Sequence, residues 1–104
     1  MRIVNRQITD QAKRKYTDCK KSINCWITEC EKVIWNTTQD IKNKYRTASF
    51  LHNNIVIFNI KGNTYRLVIK VAYKNKTVYI IWFGTHEDYQ KKDWEKADKG
   101  ATDE

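Results

Sequence analysis

Arg66, Lys61 and His86 lie within residues 41–86, a stretch without a single Asp or Glu, and Tyr89 follows three positions after the histidine. A guanidinium can hold two phosphate oxygens in parallel and keeps its charge, whereas an ammonium acts as a point charge. An imidazole can give or take a proton near neutral pH. An aromatic ring can stack on a base or close the edge of a core. Together these groups suit acid and base chemistry on a phosphate ester.

The surrounding charge agrees with an anionic ligand. The same stretch carries Lys42, Lys44, Arg46, Lys70, Lys74 and Lys76, and the chain's formal net charge is +8. The charge is uneven: residues 1–85 hold 16 basic and five acidic side chains, residues 86–104 four and seven. A basic body attracts polyanions and speeds their encounter, although a solvated lysine face would read the same way from charge alone.

Other chemistries lack their parts. Gly62 and Gly84 belong to no phosphate-binding glycine loop, and the acid-free stretch offers neither paired carboxylates nor ligands for magnesium. Cys19, Cys25 and Cys30 have no neighbouring His to complete a zinc set, and read as small apolar groups in a reducing compartment. No metal and no cofactor is expected. A substrate that brings its own nucleophile fits what remains, and RNA does so through its 2′-hydroxyl.

Elements must position these groups. At 104 residues the chain has the size of one domain, read here as 1–104 with a frayed polar end at roughly 98–104. Neither a signal peptide nor a membrane span is legible, which places the chain in the cytoplasm. Ile3 and Val4 suggest a short first strand. A helix from Thr9 or Asp10 to about Tyr16 follows. Asp18 can cap a second helix, in which Ile23, Trp26, Ile27, Cys30, Val33 and Ile34 recur at spacings of three and four, with Trp35 closing it. Thr38 to Ile41 suggest a further short helical turn.

Beyond Arg46 the pattern becomes that of strands. Ile55–Ile60, Tyr65–Tyr73 and Thr77–Gly84 are expected to form an antiparallel meander, turning at Gly62–Asn63 and at Lys74–Lys76. Alternation puts Tyr65, Leu67, Ile69, Val71 and Tyr73 toward the helices. Arg66 and Lys70 then project from the opposite, open face, with Asn59 and Lys61 placed to join them across the hairpin. The expected class is α+β, in the order β-α-α-β-β-β, with room for a short C-terminal helix.

The run VIFNIKGNTYRLVIKV followed by FGTHEDY resembles the HigB family of toxins from type II toxin-antitoxin modules, within the RelE-like superfamily. The preceding KVIWNTTQDIKNKYRTASF looks like that family's middle region, so the resemblance spans about Trp26 to Asp93. It implies a RelE-like fold with two helices on one face of a curved sheet. It also implies an mRNA endoribonuclease that halts translation, commonly in the ribosomal A site, and a HigA-type helix-turn-helix antitoxin through which alone operator DNA would be bound. Superfamily relatives use Arg, Lys, Tyr or His in different combinations.

On this reading Arg66 and Lys61 stabilise phosphoryl charge, His86 transfers a proton and Tyr89 orients the substrate, while Lys70, Asn63, Lys91 and Lys92 contact RNA. Asn63 has a second role available as a turn residue. Two other functions remain open: non-catalytic binding of RNA or the ribosome through the same cationic face, and a RelE-fold toxin aimed at a protein such as DNA gyrase, for which the His86 and Arg66 cluster would be incidental.

Overall fold

The structure is a computed structural model that describes residues 1–92, so the expected frayed end at 98–104 lies outside the described residues. Strand β1 (Arg2–Val4) leads into helix α1 (Arg6–Lys15). A 3-10 turn (Thr17–Cys19) precedes α2 (Lys20–Lys32), and α3 spans Thr38–Lys44. Strands β2 (Ser49–Phe50), β3 (Ile55–Ile60), β4 (Tyr65–Ala72) and β5 (Thr77–Thr85) follow, then a short helix α4 (His86–Gln90). The described strands form one sheet in the order β1-β5-β4-β3-β2. The meander β3-β4-β5 is antiparallel as expected, and β1 joins its edge parallel to β5.

Helix boundaries depart from the sequence reading in three places. Helix α1 starts at Arg6, because Asn5 takes a left-handed φ of 70° that an Asn tolerates and so turns the chain out of β1. Asp18 does not cap α2, since its carboxylate accepts hydrogen bonds from Lys61 and Tyr65 across the molecule. Helix α2 stops at Lys32 rather than Trp35: Val33 is extended, and Trp35 N donates to Met1 Sδ at 3.2 Å. The heptad-like spacing of Val33 and Ile34 therefore continues past the end of the helix, and both side chains are exposed.

Helix α3 has the clearest local cause. Thr37 Oγ1 accepts from Asp40 N while the Asp40 carboxylate accepts from Thr37 N, a reciprocal capping box.

One face of the sheet packs on the helices. Ile23, Trp26 and Cys30 of α2 and Ile41 of α3 meet Phe58, Leu67, Ile69, Val71 and Ile80. Phe58 stands at the centre, within 4.9 Å of the Tyr45 ring and 5.4 Å of Trp26 between centroids. The alternation expected for β4 holds on this face, with Tyr65 buried and Tyr73 packed against the cluster.

The opposite face is less open than alternation alone implies. Ile55, Ile57 and Val68 form a second buried cluster, with Leu51, Trp82 and Tyr89 packed on it. A register shift in the β4–β5 ladder adds Trp82 to this layer. Val68 pairs with Trp82 and Ile69 with Ile80, so Ile81 has no partner across the ladder and the side-chain parity of β5 flips. Phe83 consequently faces the helices, and Trp82 faces the second layer.

Candidate active site

The site is built at the end of the sheet where the β3–β4 hairpin meets α4. The hairpin loop turns because Lys61 and Gly62 both take positive φ, 52° and 64°. It returns Arg66 opposite Asn59 on one side and Gly84 on the other. The start of α4 is tied to the same loop, since His86 N donates to Thr64 O at 3.0 Å. Thr85 caps that helix by accepting from Asp88 N at 3.1 Å, with Glu87 and Asp88 in its first turn.

Arg66 is buried, 8% exposed, and not projecting into solvent as the alternation suggested. Its guanidinium lies back along the hairpin. Nη1 donates to Asn63 O at 3.2 Å and Tyr65 O at 3.1 Å, and Nη2 donates to Asn63 Oδ1 at 2.6 Å. A planar cation held at three acceptors is fixed in orientation before any ligand arrives. Asn63 is both turn residue and Arg66 partner.

Helix α4 carries two titratable groups beside this hairpin, and Tyr89 is close enough to feel the charge of Arg66. His86 is half-buried, and its Nδ1 is buried with no hydrogen-bond partner among the described residues. Tyr89 packs on the second cluster, where burial raises its phenol pKa and the positive charge of Arg66 partly offsets that rise. The phenol therefore stays protonated near neutral pH and can donate a hydrogen bond.

Trp82 is the neighbour that sequence reasoning missed. Its ring centroid lies 6.4 Å from that of Tyr89, and Lys92 Nζ stands 5.8 Å above it. A glycine two positions after a strand tryptophan is the available signal, because Gly84 leaves the room the indole occupies.

The remaining predicted residues are dispersed. Lys61 does not join Arg66: the loop's left-handed turn sends its ammonium toward the helices, where Nζ binds Asp18 Oδ2 at 2.9 Å. Lys70 shares Arg66's face but lies four residues along β4, roughly 13 Å away at strand rise, between Ile55 and Tyr79. Lys91 is exposed, with Nζ 4.0 Å from Asp88. The structure thus sets Asn63 and Tyr89 beside Arg66, ties the backbone of His86 to the same hairpin and puts Lys92 over Trp82, and it leaves Lys61, Lys70 and Lys91 at the periphery. Among the described residues no three His, Cys, Asp or Glu side chains gather as a metal site.

The sequence model of the HigB toxins, described as the RelE-like toxic component of a toxin-antitoxin system, matches residues 19–92. The chain belongs to the HigB toxin family. No curated protein matches it. The family match covers more than two thirds of the chain and takes in α2, α3, the whole meander and α4. A HigB toxin acts within a toxin-antitoxin system, so an antitoxin is its partner. The mixed sheet with helices packed on it is the α+β, RelE-like arrangement expected of the family. No helix among the described residues of this HigB chain is long and apolar enough to cross a membrane.

Proposed function

We propose that this HigB toxin is a metal-independent mRNA endoribonuclease that inhibits translation, acting on message at the ribosome in the cytoplasm. The observation that carries the proposal is the corner itself. A pre-oriented buried guanidinium lies beside a protonated phenol where the sheet ends, and an imidazole with a buried, unpartnered ring nitrogen starts the helix tied to the same hairpin.

The reaction needs nothing beyond these groups and RNA. The 2′-oxygen attacks the adjacent phosphorus, losing its proton to a base, and the bond from phosphorus to the 5′-oxygen breaks as that oxygen gains a proton. The products are a 2′,3′-cyclic phosphate and a 5′-hydroxyl. Arg66 stabilises the charge that builds on the phosphoryl oxygens. His86 carries a proton through its ring, and Tyr89 orients the substrate by donating from its phenol. Lys92 and Asn63 border the site, and Trp82 adds an aromatic surface beside it. Lys61, Lys70 and Lys91 serve approach and backbone contact. A HigA-type helix-turn-helix antitoxin would restrain the activity and supply operator binding.

Mapping 5′ ends of message after induced expression tests this directly. New internal 5′-hydroxyl ends, absent in His86→Ala, support the nuclease. Stalled ribosomes on intact message would replace it with a binding module, and DNA damage signalling with unbroken message would point to a protein target.

A further inference from the structure

A groove lies on the helix-packed face of the sheet, opposite the face that carries Arg66. It has a volume of about 410 Å³ and is floored by Trp35 and Tyr45, with Val33 and Ile34 along one wall. Trp35 and Tyr45 both belong to the helix-side core. Ile34 is 63% exposed and Val33 36%, a high exposure for two adjacent β-branched residues. Single exposed apolar residues need no explanation, but a contiguous pair beside an aromatic-floored groove marks an interaction surface.

The ridge is held rigidly. Val33 O and Cys30 O accept from the N-terminal ammonium of Met1, the second at 2.9 Å, and Trp35 N donates to Met1 Sδ. Both sides of the Val33–Ile34 step are therefore anchored inward, which leaves the Ile34 side chain presented outward. The floor is equally fixed, because Tyr45 Oη donates to Glu29 Oε2 at 2.6 Å. Pre-ordering of this kind lowers the entropic cost of association.

Charge selects the occupant. The groove's two carboxylates are engaged internally. Glu29 takes the Tyr45 hydroxyl and lies 4.0 Å from Lys44, and Asp40 accepts from Asn36 N and Thr37 N. Lys32 and Lys44 complete the rim. The net charge of +8 on the whole chain disfavours a second copy of it as the occupant. An apolar segment flanked by acidic side chains meets both the ridge and the rim.

We infer that this groove docks the antitoxin, through an amphipathic segment that places apolar side chains against Ile34, Val33 and Trp35 and acidic ones beside Lys32 and Lys44. Docking there leaves the Arg66 corner on the far side of the sheet uncovered. The inference rests on membership of a toxin-antitoxin family and not on RNA cleavage, so it stands or falls by binding alone.

The test uses the full chain and the purified antitoxin of its own module, with affinity measured by calorimetry. Ile34→Glu alters an exposed side chain and is expected to fold as the parent, and to weaken binding at least about 30-fold, the loss of one interface anchor. Tyr79→Ser, at an exposed aromatic on the opposite face, is the control and binds unchanged. Parent-like affinity of Ile34→Glu overturns the inference, as does a loss confined to Tyr79→Ser. Sedimentation of the toxin alone supplies the third arm: a dimer that Ile34→Glu abolishes would assign the groove to a second copy and overturn it. Should Ile34→Glu fail to fold by circular dichroism, Lys32→Glu with Lys44→Glu replaces it and must weaken binding through the rim.

Discussion

The Trp82 indole lies across Gly84, so close that a Cβ at position 84 would stand 2.5 Å from two of its ring carbons. That contact exists because the β5 bulge at Ile81 turns Trp82 to the second face, and it fixes the surface on which Tyr89 packs. Gly84 pairs with Arg66 across the ladder, so the indole, the arginine and α4 share one corner.

Gly84→Ala should therefore act on stability and site together. The tryptophan must move or the strand must bend, an overpacking cost of about 1–3 kcal/mol. Thermal denaturation should show a lower Tm, and RNA cleavage at a temperature where the variant is still folded should fall as Tyr89 loses its neighbour. An unchanged Tm would mean that the indole swings away freely and does not organise the corner.

Arg66→Lys separates charge from geometry. An ammonium cannot reach the three acceptors that the guanidinium holds at Asn63 and Tyr65. On the proposed reading, cleavage of message on ribosomes should drop by about 10²-fold or more, the loss seen when an oriented transition-state donor is removed. Asn63→Ala removes only the 2.6 Å bond and leaves two carbonyls in place. Its effect should be smaller, roughly tenfold, equivalent to about 1.4 kcal/mol.

How much of this was legible follows from what each residue's signal depends on. Strands β3 and β4 were readable because their β-branched runs and the intervening Gly62 are local, and the helix-facing set Tyr65 to Val71 obeys strict alternation. Alternation gives Arg66 its face but not its burial. Its guanidinium turns back along the hairpin to Asn63 and the Tyr65 carbonyl, and Trp82 joins that face only through a bulge that alternation cannot anticipate. Alternation misplaces Lys61 because one left-handed residue in a turn redirects the side chain by a whole face. The termination of α2 was hidden because Val33 and Ile34 keep helical spacing, while the contacts that stop the helix come from Met1.

The three cysteines should differ sharply in reactivity. Burial pushes the Cys30 thiol up to about 12 and raises Cys19, whereas Cys25 is exposed on α2. A colourimetric thiol reagent at pH 8 should titrate one group in the folded protein and three after denaturation. Prompt reaction of a second thiol in native buffer would show that α2 opens locally. Cys25→Ser should abolish the fast phase and leave Tm close to the parent.

Asp18 should set part of the acid limit of stability. Its carboxylate accepts from Tyr65 Oη at 2.6 Å and Lys61 Nζ at 2.9 Å, and these bonds hold its pKa below the ordinary value. The folded state then binds fewer protons than the unfolded one, so the stabilisation is complete above about pH 4 and is lost as pH falls through the lower folded pKa. The partner runs the other way. Hydrogen bonding to Asp18 pushes the Tyr65 phenol up to about 12, so its contribution is complete below about pH 10 and is lost as pH rises toward that value. Asp18→Asn keeps the shape and removes the charge, and should flatten both limbs of the urea midpoint plotted against pH relative to the parent. If only the acid limb changed, the Tyr65 shift would have to come from its burial against Tyr16 and Phe83 and not from Asp18.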